Sequence, residues 1–163
     1  MEKLPENALQ AHSELLAQTH SLILATADKG GTPEASTTPF VQDENGDYYI
    51  FVSHLARHTQ NLEHSNRASV MLLEDEGQSQ QLFARRRIQL QCDVFRPDPD
   101  QCRRIMDQFR TEHGKIMDLL SSLPDFVLFR LHPVSGQFVM GFGQAYRLIG
   151  EGLSELEQIG PAA

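Results

Sequence analysis

The stretch RIQLQCDVF, from Arg87 to Phe95, is the clearest structural signal in this 163-residue chain. Apolar and polar side chains alternate along it, with the apolar set at Ile88, Leu90, Cys92 and Val94. Side chains of a β-strand point to its two faces in turn. The period of two therefore predicts a strand with one buried face and one face open to solvent or a ligand.

Working outward from this strand, six further segments predict strands because they are short, apolar and bounded by turn residues. They are residues 21–27 (SLILATA), 35–41, 48–53 (YYIFVS), 68–73 (ASVMLL), 126–131 (FVLFRL) and 137–148. The Asn45-Gly46 pair indicates a hairpin between two of them. A turn at Pro133–Gly136 is expected between the last two, and Gly141 and Gly143 are expected to pack closely within the final strand.

Helical patterns cover residues 6–19, 55–64 and 115–121, and a further helix is expected to begin at Asp98-Pro99 and to end at Gly114. The strands are mostly consecutive and one helix pair is inserted among them. This order predicts a mainly β protein with helices (α+β) and an antiparallel barrel, since helices do not alternate with strands. Without repeats or linkers, residues 1–150 are interpreted as a single domain and residues 151–163 as a C-terminal tail.

Composition excludes several classes of function. The formal net charge of −8 opposes nucleic-acid binding. No stretch approaches the roughly 20 apolar residues of a membrane span, and the polar start from Met1 to Gln10 is unlike a signal peptide. These features predict a cytoplasmic protein without membrane or nucleic-acid partners. A concentration of arginine between residues 57 and 87 of an acidic chain favours a small anionic ligand instead.

Four segments together resemble the pyridoxamine 5'-phosphate oxidase-like (FMN-binding) split-barrel superfamily. They are LATADKGGTPEASTTPF (24–40), YYIFVSHLARHTQNLEHSNRASVMLL (48–73), FARRRIQLQCDVFR (83–96) and FVMGFGQAYRL (138–148). Within that superfamily, the run SHLARHTQNL from Ser53 to Leu62 is similar to the HugZ/HutZ-type haem-utilisation group. The resemblance implies a homodimeric split barrel of the FMN-binding type, with haem or FMN held between protomers.

The resemblance also implies the residues that bind the cofactor. Flavin members grip the FMN phosphate with an Arg-Lys pair where a strand meets a helix, and Arg57 and His58 occupy the matching positions here. Ser53 and Asn61 belong to the same run, and Arg85 and Arg87 resemble the next basic element. We therefore expect these six residues to bind the cofactor, whether through an FMN phosphate or through haem propionates. The structural alternatives are a solvated helix face for Arg57 and His58 and a charged strand edge for Arg85, Arg86 and Arg87.

Three functions follow as hypotheses: haem binding with or without oxygen-dependent breakdown, an FMN-dependent oxidoreductase, and a cofactor-binding dimer without catalysis. The haem-utilisation group carries its iron ligand as a histidine near the C-terminus, but residues 151–163 contain no His, Cys, Met or Tyr. The histidines that remain as ligand hypotheses are His58, His64, His113 and His132. No metal site is expected from His54 and His58 at a spacing of four, since no third ligand accompanies them, and no catalytic residue is assigned.

Overall fold

The computed structural model of this protein describes residues 6–160, in which nine strands form one sheet that curls into a half-barrel. The strands are β1 (Ser21–Ala27), β2 (Pro33–Pro39), β3 (Val41–Gln42), β4 (Tyr48–Ser53), β5 (Arg67–Leu73), β6 (Arg87–Phe95), β7 (Phe126–Gly141), β8 (Gln144–Ile149) and β9 (Glu155–Ile159). Four helices accompany them in this part of the chain: α1 (Glu6–Gln18), α2 (Arg57–His64), α3 (Pro99–His113) and α4 (Ile116–Ser122).

The strand order is β2-β1-β5-β6-β7-β4-β3, and β8 and β9 extend the sheet from β7. Every pairing is antiparallel. This arrangement confirms the predicted mainly β fold with helices and the antiparallel split barrel. Across the described residues, no helix has both the length and the apolar character needed to cross a membrane.

Strand β6 lies between β5 and β7 and supplies one wall of the main core. The alternation that predicted it is confirmed, since its inward side chains are at most 6% exposed, namely Ile88, Leu90, Cys92 and Val94. They pack with inward residues of β1, β4 and β7 and with one face of α1. Burial of apolar area at about 25 cal/mol per Å² makes this core the main source of stability.

The inserted helix pair builds a second, smaller core on the outer face of the sheet. Ile105, Phe109 and Met117 of α3 and α4 pack there against Val41 and Tyr49. The predicted start of α3 is confirmed: the Asp98 side chain accepts a hydrogen bond from the backbone of Gln101, whose side chain bonds back to the backbone of Asp98. Gly114 ends the helix at a φ of 81°.

The predicted turn at Pro133–Gly136 is wrong, because β7 runs unbroken through these residues. Its register with β6 shifts so that Cys92 lies opposite Pro133 and Gln91 lies opposite Ser135, which leaves Val134 as the extra residue of a bulge. A bulge tolerates the missing N–H of proline, which explains how a turn-like sequence continues a strand.

The single final strand predicted over residues 137–148 is also wrong, since a hairpin turn at Phe142 and Gly143 divides it into β7 and β8. Gly143 is a turn residue with a φ of 65° rather than a close-packing strand glycine. Gly141 remains in β7, and a Cβ there would lie 2.8 Å from the side chain of Gln144.

The segment interpreted as a tail contributes to the sheet. Residues Glu155–Ile159 form β9, which pairs with β8, and Leu156 is 4% exposed in the main core. Residues 1–5, which begin the polar N-terminal stretch, and residues 161–163 of the tail lie outside the described residues.

Candidate functional site

The connection from β4 to α2 fixes the first group of predicted site residues. Ser53 ends β4, where its hydroxyl donates to Asp125 Oδ2 at 2.7 Å and accepts from the backbone N–H of Leu55 at 3.1 Å. The Thr59 hydroxyl donates back to the carbonyl of Ser53. The helix begins at Arg57 rather than at residue 55, and Leu55 is 84% exposed in the turn.

Strand β2 provides a carboxylate to this helix. Arg57 donates to Glu34 Oε1 at 2.9 Å, and Asn61 Nδ2 donates to Glu34 Oε2 at 3.1 Å. Asn61 is buried and also donates to the hydroxyl of Thr26 at 3.0 Å. Both oxygens of Glu34 thus have partners, and the arginine predicted to bind an anionic cofactor already has an anionic partner within the fold.

His58 lies beside this ion pair. Its Nδ1 is 2.9 Å from the hydroxyl of Ser36, which is on the same face of β2 as Glu34. Burial lowers the pKa of His58 below its ordinary value of 6.5. The ring is therefore neutral at pH 7, which is the form that can coordinate a metal ion.

A cleft of about 400 Å³ opens beside the first turn of α2. Strand ends of β2 and β4, the start of β7 and helices α3 and α4 enclose it. Its lining consists of Thr38, Pro39, Phe51, Val52, Ser53, Ala56, His58, Phe109, His113, Ile116, Met117, Leu120 and Phe126. A mainly apolar cleft of this volume with a few polar groups is typical of a small-molecule site.

His113 is the second histidine of the cleft. Its Nε2 lies 2.9 Å from the carbonyl of Phe40, and because a carbonyl only accepts, Nε2 carries a proton and donates. This bond and the contact with the Phe109 ring, 5.5 Å between centroids, fix the orientation of the imidazole. Of the four histidines considered as iron ligands, His58 and His113 line the cleft, whereas His132 bonds to Asp47 elsewhere.

Arg85 and Arg87 do not join the residues around α2. Arg85 Nε donates to the carbonyl of Glu74 at 2.6 Å, and Arg87 donates to the carbonyl of Arg85 at 3.0 Å. Both therefore bind backbone of the loop that leads into β6. In β5, Leu73 pairs with Arg87, whereas Ser69 pairs with Ala25 of β1, which precedes the Thr26 that bonds to Asn61. These two positions of β5 are four residues apart, which is about 13 Å of strand.

Sequence reasoning did not identify Glu34 as part of the site. The signal available was the alternation along β2, which places Glu34, Ser36 and Thr38 on one face and turns that face toward α2. Asp125 lies in the turn before β7. Its carboxylate accepts from Ser53 at the edge of the cleft.

The half-barrel and the cleft at its strand ends define a split β-barrel protein of the FMN-binding type. The family model described as pyridoxamine 5'-phosphate oxidase matches residues 8–140, and the chain belongs to this family.

HutZ and ChuZ are two proteins to which this chain is similar. The haem oxygenase HutZ of Vibrio cholerae serotype O1 is 42% identical over 142 residues, which are 86% of this chain and 80% of that protein. The crystal structure of HutZ, described as the haem storage protein of Vibrio cholerae, has a TM-score of 0.74 at 37% identity. The alignment covers 81% of this chain and 93% of the HutZ chain. The crystal structure of Campylobacter jejuni ChuZ has a TM-score of 0.83 at 28% identity. The alignment covers 98% of this chain and 65% of the ChuZ chain.

Proposed function

We propose that this protein binds haem in the cleft beside the first turn of α2. The observation that carries the proposal is the combination of apolar walls with the neutral imidazole of His58 in one cleft. The similarity to HutZ, a protein named as a haem oxygenase and as a haem storage protein, supports the same ligand class.

The residues of the cleft fit the macrocycle and the iron of haem. Phe51, Met117 and Phe126 offer apolar contact to a flat macrocycle. His58 offers a neutral nitrogen to iron, and His113 is the second histidine that lines the cleft. When bound, haem would supply iron-centred binding or activation of oxygen, according to how the surrounding side chains control access to it.

The FMN alternative is less well supported by the same geometry. A phosphate dianion needs cations and N–H donors that are free to face it. Arg57 and Asn61 instead donate to Glu34, so a negative charge already lies where the phosphate would be held. The apolar macrocycle of haem does not use this position, and its propionates would need donors other than Arg57 and Asn61.

Absorption titrations with haemin and with FMN test the proposal. We expect a Soret band that saturates at one haem per protomer, and we expect His58→Ala to weaken haem binding by about tenfold or more, an energy of roughly 1.4 kcal/mol. His64→Ala is the matched control, since His64 is an exposed histidine at the other end of the same helix. Unsaturable haem uptake together with tight FMN binding would overturn the proposal.

Haem breakdown is a separate question that the same sample can answer. Loss of the Soret band of the wild-type complex in air with an added reductant, faster than the bleaching of free haemin under the same conditions, would extend the proposed function from haem binding to haem oxygenation. A Soret band that persists under these conditions would limit the function to binding and transfer.

We further propose that two copies of the chain form a homodimer over the cleft. Leu55 in the turn before α2 and Ile116 and Leu119 on α4 are exposed apolar side chains beside it, and a pair of protomers would bury them. Light scattering after gel filtration should give twice the 18.4 kDa chain mass, and Leu119→Glu should shift the protein toward monomer. A wild-type monomer would contradict this assembly.

A cytoplasmic location is also proposed. Cys92 and Cys102 are both free thiols, which suits a reducing compartment. Cell fractionation with antibody detection is the direct test.

A further inference from the structure

The carboxylate of Glu34 is placed as a bound anion would be. It lies between the first residue of α2 and an asparagine one turn further on, with one oxygen on Arg57 and the other on Asn61. Ala56, which precedes the helix, provides no side-chain cap. A negative group near a helix N-terminus is favoured by the helix dipole, and Glu34 provides that group from within the chain.

Stability does not explain the pairing of Arg57 with Glu34 well. The Arg57 side chain is 83% exposed, and exposed ion pairs contribute little to folding. The Glu34 side chain is only 22% exposed and its second partner, Asn61, is buried, so the charge is held in place rather than free in solvent. A fixed charge beside a ligand cleft affects which ligands can enter.

We propose that Glu34 determines cofactor choice by occupying the position that a phosphate group would need beside Arg57 and Asn61. The inference rests on the proposed function for the location of the cofactor site. A phosphate-bearing flavin would place its charge against the Glu34 carboxylate while that carboxylate retains the donors. Removal of the carboxylate frees Arg57 and Asn61 and leaves the cleft unchanged.

The test compares FMN with riboflavin, which has the same ring system and no phosphate. Binding is followed by quenching of flavin fluorescence for the wild type, Glu34→Gln and Glu34→Ala. We expect the wild type to bind the two flavins equally, and the Glu34 variants to bind FMN about tenfold or more tightly than riboflavin. Inorganic phosphate should compete with FMN in the variants, and adding Arg57→Ala should remove the gain.

Glu157→Gln is the matched control. It also removes one negative charge from an ion pair, with Arg147, but it lies on β9 rather than on β2 beside the cleft. An FMN gain in this variant equal to that of Glu34→Gln would mean that net charge, and not the Glu34 position, governs the effect, and would overturn the inference.

Two further results would overturn it. One is equal affinity for FMN and riboflavin in both Glu34 variants that retain the native circular dichroism spectrum. The other is tighter binding of FMN than of riboflavin by the wild type, because Glu34 would then not exclude the phosphate group. A parallel haemin titration separates the two proposals, because haem binding without an FMN gain rejects only the role of Glu34, and an FMN gain without haem binding rejects only the proposed ligand.

Discussion

Helix α2 and the loop of residues 74–86 are the two regions that the sequence marks with cations, and the fold uses them in opposite ways. In α2, Arg57 and Asn61 bond to a residue of β2 that is more than 20 positions away in the chain. In the loop, Arg85 bonds to the backbone of Glu74, only 11 positions away. The helix buries three residues, whereas the two 3₁₀ turns of the loop bury none.

The difference shows that the partner of a cation, not its presence, determines which parts of the fold the cation brings together. Contacts that reach across the sequence bring strand ends and a helix start to one cleft. Contacts between near neighbours only shape the loop that carries them. Substitutions in α2 should therefore have different effects from matched substitutions in the loop.

The largest difference is expected for the anchoring leucines. Leu62 of α2 is 1% exposed in the main core, so Leu62→Ala should lower the free energy of unfolding by about 2–5 kcal/mol. Leu82 of the loop is 57% exposed, and Leu82→Ala should change it by less than about 0.5 kcal/mol. Urea denaturation measures both, and equal losses would mean that the loop is as firmly anchored as the helix.

A smaller difference is expected for the amides. Asn61→Ala removes a buried donor and leaves the Thr26 hydroxyl and one oxygen of Glu34 without it, for a loss of about 1–3 kcal/mol. Gln81 only accepts a 3.4 Å bond from the Phe83 backbone in an exposed turn, so Gln81→Ala should have little effect. The same urea series decides, and an Asn61→Ala protein as stable as the wild type would contradict the assigned network.

The two arginines should differ in how much they stabilise the fold. Arg85→Ala removes a bond to a backbone carbonyl and should lower the free energy of unfolding by about 1 kcal/mol, whereas Arg57→Ala should lower it by less than about 0.5 kcal/mol. Haem affinity should be insensitive to Arg85→Ala. Loss of haem binding in that variant would break the comparison, since the cofactor would then contact both regions, one from each protomer of a dimer.

Local patterns predicted most of the fold. The alternation in β6 and the cap at Asp98 are confirmed because neighbours in sequence determine them. Pro133 was misassigned to a turn, because only the register against β6 shows that a bulge accommodates it. Leu156 was placed in a tail because a single buried residue in a polar stretch carries no period.

The candidate site could be predicted only in part. The end of β4 at Ser53 was predicted correctly, but α2 begins at Arg57, two residues later than predicted. Which residues face Arg57 depends on how β2 packs against α2, and the period of two along β2 does not determine which of its faces meets the helix. The role expected of Arg85 and Arg87 remains a prediction, since their partners in the described chain belong to their own loop.

The smallest expected difference concerns pH. Burial lowers the pKa of His58 in the folded protein below 6.5, so between these two pKa values the unfolded chain binds more protons than the folded one. Stability therefore rises with pH in that window and is lost as the pH falls below about 6.5. His12 in α1 contributes in the same direction, whereas the loop of residues 74–86 contains no histidine.

Urea midpoints at pH 7.5 and 5.5 measure this effect. The wild type should lose stability between the two values, and His58→Gln should lose less, because its side chain near Ser36 no longer gains a proton on unfolding. His64→Gln, at an exposed position of the same helix, controls for the loss of a histidine in general. If His58→Gln and the wild type lose the same amount, the imidazole in the cleft is protonated as readily in the folded state as in the unfolded one. The protonation state of His58 would then no longer support iron coordination by this residue.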